Sequence, residues 1–244
     1  MNRQKLIDLS ILIVLFIAVA ALPINYVVDK VYVYHVIMIG VLLLYLLFLF
    51  IYLKLNPYLI NKKKNYNAKN LLLLLPSVII IISNFIYAWC AQEKMNVSFE
   101  EHAILEALLI ILIAIIEELL FRFVLLGNLD EKRPLRAILI SSSIFALSHL
   151  SIFFSTFNPI DLIPIIYAFG LGMILGLFYM YSRIFIACVC FHVLFNLIND
   201  FFFENIYQIN NDMWFYIINT LIGLIVGVYL LLVYLFIFRK KETN

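Results

Sequence analysis

Charge is scarce in this 244-residue chain: 13% of its residues are Asp, Glu, Lys or Arg, about half the share of a soluble domain. A protein folded in water needs a polar skin, and too little polar surface is present to cover 66% hydrophobic residues. The same numbers exclude a disordered chain. A net charge of +2 offers no basic patch, which excludes nucleic-acid binding. There are only three cysteines, all in apolar segments, and Cys188-x-Cys190 has neither redox nor zinc-finger spacing. They read as small apolar packing residues. Alternation with a period of two is missing as well, which removes a membrane β-barrel. What is left is an all-α, polytopic membrane protein forming a single membrane domain over residues 1–244.

Continuous apolar stretches fall at about 6–28, 32–53, 70–91, 103–126, 135–154, 160–181, 184–203 and 213–238. Each is long enough to cross ~30 Å of hydrocarbon as a helix, so about eight spans are expected. Charge or proline marks the cuts, as at Lys62-Lys63-Lys64, at Asp130 to Pro134 and at Asn158-Pro159. Pro23 is a candidate kink in the first span, and Asn199, Asp200 and Glu204 blur the end of the seventh. Of 17 Lys and Arg residues, all fall on one side of this arrangement except Lys30, Lys94 and the intramembrane Arg122. The positive-inside rule then places both termini in the cytoplasm. The first segment reads as a retained helix, because no small-residue cleavage site follows its apolar run. Gly172 and Gly176 in the sixth segment form a small-xxx-small pair, a helix-contact signal.

Ionisable residues inside a span are costly and point to function. The fourth segment carries Glu117, Glu118 and Arg122. Glu118 and Arg122 are four apart, so they share a helical face and neutralise each other as a structural pair. Glu117 is turned about 100° away and gains no such partner, which suits a general base in a low dielectric. The fifth segment carries Ser141-Ser142-Ser143 and, further on, Ser148-His149. The seventh carries His192 and Asn196, an imidazole and an amide on one face. Measured from the cytoplasmic ends, Glu117 lies about 15 Å deep, His149 about 20 Å, His192 about 12 Å and Asn196 about 18 Å. Helices of alternating direction thus place these groups in one slab, and they read as one site.

Such a set suffices for amide hydrolysis by water. Glu117, helped by His149, takes a proton from water, and His192 with Asn196 donates to the oxyanion. Glu117, His149 and His192 also match a three-ligand shell for catalytic zinc. Other protease plans lack their residues: there is no His-Glu-x-x-His run, no Gly-x-Ser turn at a nucleophile and no intramembrane aspartate pair.

Glu117-Glu118-x-x-x-Arg122, Phe145-x-x-x-His149 and His192-x-x-x-Asn196 resemble, in order and spacing, the three motifs of the CAAX protease and bacteriocin-processing family (CPBP or Abi). The run from Ser141 to Leu150 is typical of the second motif, and the resemblance covers about residues 100–205 as a catalytic core. It implies an intramembrane endopeptidase with a conical cavity open to the cytosol and laterally to lipid. Eukaryotic members cleave the C-terminal CAAX tripeptide of prenylated proteins. Bacterial members are associated with bacteriocin maturation or self-immunity, pheromone processing and scaffolding. By carry-over, Glu117 and His149 look like the water-activating pair, His192 and Asn196 like the oxyanion hole, and Glu118 and Arg122 like supports. Family labels often say metalloprotease, yet the glutamate mechanism needs no metal or other cofactor, and that form is the expectation here. Phe123 departs from the family's usual Gly and adds bulk beside the site.

The expected partners are the bilayer and a peptide or protein substrate, lipid-associated or amphipathic. Lys-, Asn- and Ile-rich usage points to a multi-pass protein of a bacterial cell membrane. Two other classes compete with the enzyme. A non-catalytic immunity or scaffold protein would not need every catalytic group retained. A proton-coupled transporter would be expected to show repeats and broken helices, whereas no repeat is visible and Gly and Pro number only 7 and 6.

Overall fold

Apolar runs of Leu, Ile, Val and Phe form helices because, away from water, a helix satisfies its own backbone polar groups. The computed structural model describes residues 3–22, 30–60, 74–90, 102–129, 132–150, 162–198 and 213–233. Among these there are eight α-helices and no strand. They are α1 (Arg3–Ala20), α2 (Val31–Leu55), α3 (Leu75–Cys90), α4 (Ala103–Glu117), α5 (Pro134–Ser148), α6 (Ile163–Ser182), α7 (Phe185–Asn196) and α8 (Met213–Val233). The all-α expectation holds. Pro23, Lys62 to Lys64, Asp130, Asn158-Pro159 and the polar end of the seventh segment lie outside the described residues.

Among the described residues, α2 and α6 have both the length and the apolarity of a membrane span. The outer face of α2 is apolar and open, with Leu44, Phe50 and Leu55 exposed, while Leu42 and Leu49 on its other side are fully buried. A helix apolar all round is a helix made for lipid. Helices α1, α4, α5 and α7 fall short of that standard for identifiable reasons. α5 has 15 residues and α7 has 12, about 22 Å and 18 Å of helix. α1 carries Arg3, Lys5 and Asp8. The fourth segment changes its winding partway, from α-helix to a π-helix at Glu118–Leu126.

That π-helix lies where two cores meet. Its Leu120, Phe121, Val124 and Leu125 join Leu9, Leu12 and Phe16 of α1 and Leu42, Tyr45 and Leu49 of α2. Its Leu126 joins the second core, built from α5, α6, α7 and α8 around Ile138, Ile174, Phe178 and Phe195. α6 runs through that second core with small residues on two sides. A Cβ at Gly172 would lie 3.1 Å from Ser142 Cβ, and one at Gly176 would lie 3.3 Å from Ile138 Cγ2, so this pair seats α5. A Cβ at Gly170 would lie 2.9 Å from the Gly223 carbonyl oxygen, which brings the α8 backbone equally close. The small-xxx-small signal is therefore a real helix contact, with a second one on the opposite side.

Polar bonds fasten α1 to its neighbours. Asp8, buried in α1, accepts from Gln4 Nε2 at 2.9 Å, from Tyr52 OH at 3.1 Å, and from Tyr58 OH. The last of these bonds pushes the Tyr58 phenol up to about 12. Asn128, just past the π-helix, donates to the carbonyls of Leu59 and Val124 and accepts from Lys5 Nζ at 2.9 Å.

Candidate active site

Glu117 is the last α-helical residue of α4, and Glu118 opens the π-helix. π-Helical turns are rare and tend to occur at functional sites, since each departs from the i→i−4 ladder. One irregular carbonyl finds a partner on another helix: Ser141 Oγ of α5 donates to Phe121 O at 2.9 Å. Ser142 bonds back to Ile138 O within its own helix, as a hydroxyl in an apolar helix does.

Both glutamates converge on one ring of α7. His192 Nδ1 lies 2.8 Å from Glu118 Oε1, and its Nε2 lies 3.7 Å from Glu117 Oε2. A carboxylate only accepts, so the Nδ1 proton belongs to the bond with Glu118. The Nε2 edge is left facing Glu117, at a separation too long for a hydrogen bond. Arg122 Nη1 lies 3.1 Å from the same Glu118 oxygen, so the expected Glu118–Arg122 pair is present. All four side chains are buried, and Glu118, at 0% exposure, is the deepest.

His149 stands at the C-terminal cap of α5. Its Nδ1 donates to the Phe145 carbonyl at 3.0 Å, which leaves the Nε2 lone pair available as an acceptor. The ring meets the Phe145 ring edge-on, with centroids 5.0 Å apart, and His192 meets the same ring at 5.9 Å. Phe145 therefore links the two histidines, although neither histidine contacts the other directly. Neither a hydrogen bond nor an ion pair is formed between Glu117 and His149. Asn196 lies one turn beyond His192, partly exposed, and makes no hydrogen bond to a described residue.

Among the described residues, no three His, Cys, Asp or Glu side chains gather closely enough to hold a metal ion. Cys188 is fully buried in the second core, as a small apolar packing residue would be. Phe123 places its ring 5.4 Å from that of Phe185, so its extra bulk is taken up where the π-helix meets the start of α7. Sequence reading had no signal for the π-helix or for the Ser141 bond. Phe145 entered that reading only through the motif it shares with His149.

Comparison with known proteins gives one match. Residues 100–198 match the family model described as Rce1-like, type II CAAX prenyl endopeptidase Rce1-like. No curated protein and no solved structure matches. The matched stretch begins just before α4 and ends just after α7, so it takes in all three motifs and every site residue described above. Over residues 100–198 the chain is similar to the Rce1-like CAAX prenyl endopeptidases, the CAAX protease and bacteriocin-processing family to which the three motifs pointed.

Proposed function

We propose that this protein is an intramembrane endopeptidase, with both termini cytoplasmic, that hydrolyses a peptide bond in a small membrane-associated peptide or protein. The supporting observation is the buried convergence of Glu117 and Glu118 on His192, with His149 joined to them through Phe145. Buried charges are expensive unless they perform work, and a structural pair needs only Glu118 and Arg122. Glu117 is the carboxylate in excess of that pair.

In this reading a water lies between Glu117 and His149 Nε2, which explains why the two do not touch. Glu117 accepts its proton as hydroxide adds to the scissile carbonyl, then passes that proton to the leaving amine. The oxyanion is received by the His192 Nε2 edge and by the Asn196 amide. Glu118 holds His192 through Nδ1 and so fixes which ring edge faces the substrate. No covalent intermediate is formed. We assign the water activation to these side chains without a metal.

The test uses the purified protein in detergent with lipid-modified and unmodified reporter peptides. Glu117→Gln should lower turnover by on the order of 1,000-fold or more while thermal unfolding is retained. Undiminished cleavage would remove Glu117 as the base. Excess chelator should leave activity intact; loss of activity restored by zinc would transfer the role to a metal at Glu117, His149 and His192. Mass spectrometry of membrane and secreted peptides, from cells carrying wild-type protein or Glu117→Gln, then identifies the substrate as the precursor that accumulates in the variant.

A further inference from the structure

Arg122 is 1% exposed, yet none of its three guanidinium nitrogens has a hydrogen-bond partner among the described residues. Its approach to Glu118 pairs the charges without the alignment of a hydrogen bond. A buried guanidinium normally has its five donors satisfied. Here it has an aromatic face instead: Cζ lies 4.3 Å from the centroid of the Phe145 ring. At that distance the negative face of the ring attracts the cation, and most strongly where water is excluded.

The same ring is fixed from several other directions. His149, His192 and Phe121 all meet it edge-on, with interplanar angles of 74°, 78° and 73°. Behind it, α6 passes so close that a Cβ at Gly172 would lie 3.2 Å from Phe145 Cδ1. A branched aliphatic side chain would fill this space, but it would offer the guanidinium no charge density.

We propose that Phe145 is a positioning residue: its π-face holds Arg122 in place of hydrogen bonds, and its T-shaped contacts hold His149 and His192 in register with Glu117. Arg122 in turn keeps Glu118 under His192. The proposal rests on the endopeptidase reading for its effect on turnover, but the contact itself does not.

Phenylalanines with one, two or three ring fluorines, incorporated at position 145, keep the ring's shape while draining charge from its face. The thermal midpoint in detergent should fall stepwise along the series. kcat should fall with it, by about 30-fold at three fluorines, with KM unchanged. In an Arg122→Met, Glu118→Gln background the series should be flat. Phe145→Leu should lose at least as much as the trifluoro ring, and the fluorinated series stands by itself if that variant does not fold. A flat series in the otherwise wild-type protein overturns the proposal. Midpoints that fall while kcat stays constant overturn the positioning role and leave only a structural one. Wild-type protein that cleaves no peptide sinks the endopeptidase reading, while the midpoints still test the ring–guanidinium contact.

Discussion

Two buried carboxylates, Asp8 of α1 and Glu118 of the π-helix, are treated in opposite ways. Asp8 in α1 is surrounded by donors, from Gln4, Tyr52 and Tyr58, and all of its partners come from the flanking helices α1 and α2 or the turn that follows α2. Glu118 has one oxygen shared between His192 and Arg122 and a second with no partner among the described residues. Glu117, beside it, has only a 3.7 Å approach to His192. Buried polar groups that serve architecture are satisfied, because each unmade bond costs stability. Groups left under-satisfied mark places where the fold has kept capacity for something else. The comparison separates a fastening from a candidate site.

The sharpest way to break this contrast is Glu118→Gln. The Arg122 guanidinium then stays buried without a charge partner, and His192 loses its carboxylate. Stability should drop by about 3–5 kcal/mol, read by unfolding in detergent, and turnover of the folded fraction by on the order of 100-fold. A variant with wild-type stability would show that the buried charges do not depend on one another.

Gly172→Ala approaches the site from behind. Its new methyl meets Ser142 and the Phe145 ring at 3.1–3.2 Å, so α5 must shift. The expected cost is about 1–3 kcal/mol, with a fall in kcat that Gly40→Ala should not produce, since nothing lies within 4 Å of a Cβ there. Equal effects at the two glycines would separate α6 packing from the geometry of the site.

Asp8→Asn should have the smallest effect. It removes the charge that three donors share, so the thermal midpoint should fall by a few degrees while kcat per folded molecule stays at the wild-type value. A fall in kcat comparable to that of Glu118→Gln would end the distinction between fastening and site.

Much of this was legible from residues alone because the bilayer makes every polar side chain conspicuous. Glu118 and Arg122 pair at the four-residue spacing that the sequence implies. Gly172 and Gly176 seat α5 as small residues one turn apart should. Depth along the helices grouped Glu117, His149, His192 and Asn196 in one slab; of these, the structure brings Glu117 to 3.7 Å from His192, with Glu118 beside them. Less legible was how the groups divide their partners. The chemistry of the set and the family resemblance associate Glu117 with His149, whereas the nearest charged contact of Glu117 is His192, with His149 attached through Phe145. The π-helix was hidden because hydropathy is the same for α and π windings of one apolar run. The polar set around Asp8 was hidden because its partners are 44 and 50 residues away.

Composition by itself pointed to an all-helical chain suited to lipid, and motif spacing pointed to the family resemblance over residues 100–198 and to the candidate site residues. These follow from local rules, in which side-chain periodicity and solvent preference act over a few residues. Tertiary structure alone decided that one imidazole would bond Glu118 and face the adjacent Glu117. It also decided that a buried guanidinium would rest on an aromatic face, and that two glycine-lined sides of one helix would bring α5 and α8 to backbone distance. Those outcomes depend on which helices are neighbours and at what height, and packing sets both across the whole molecule.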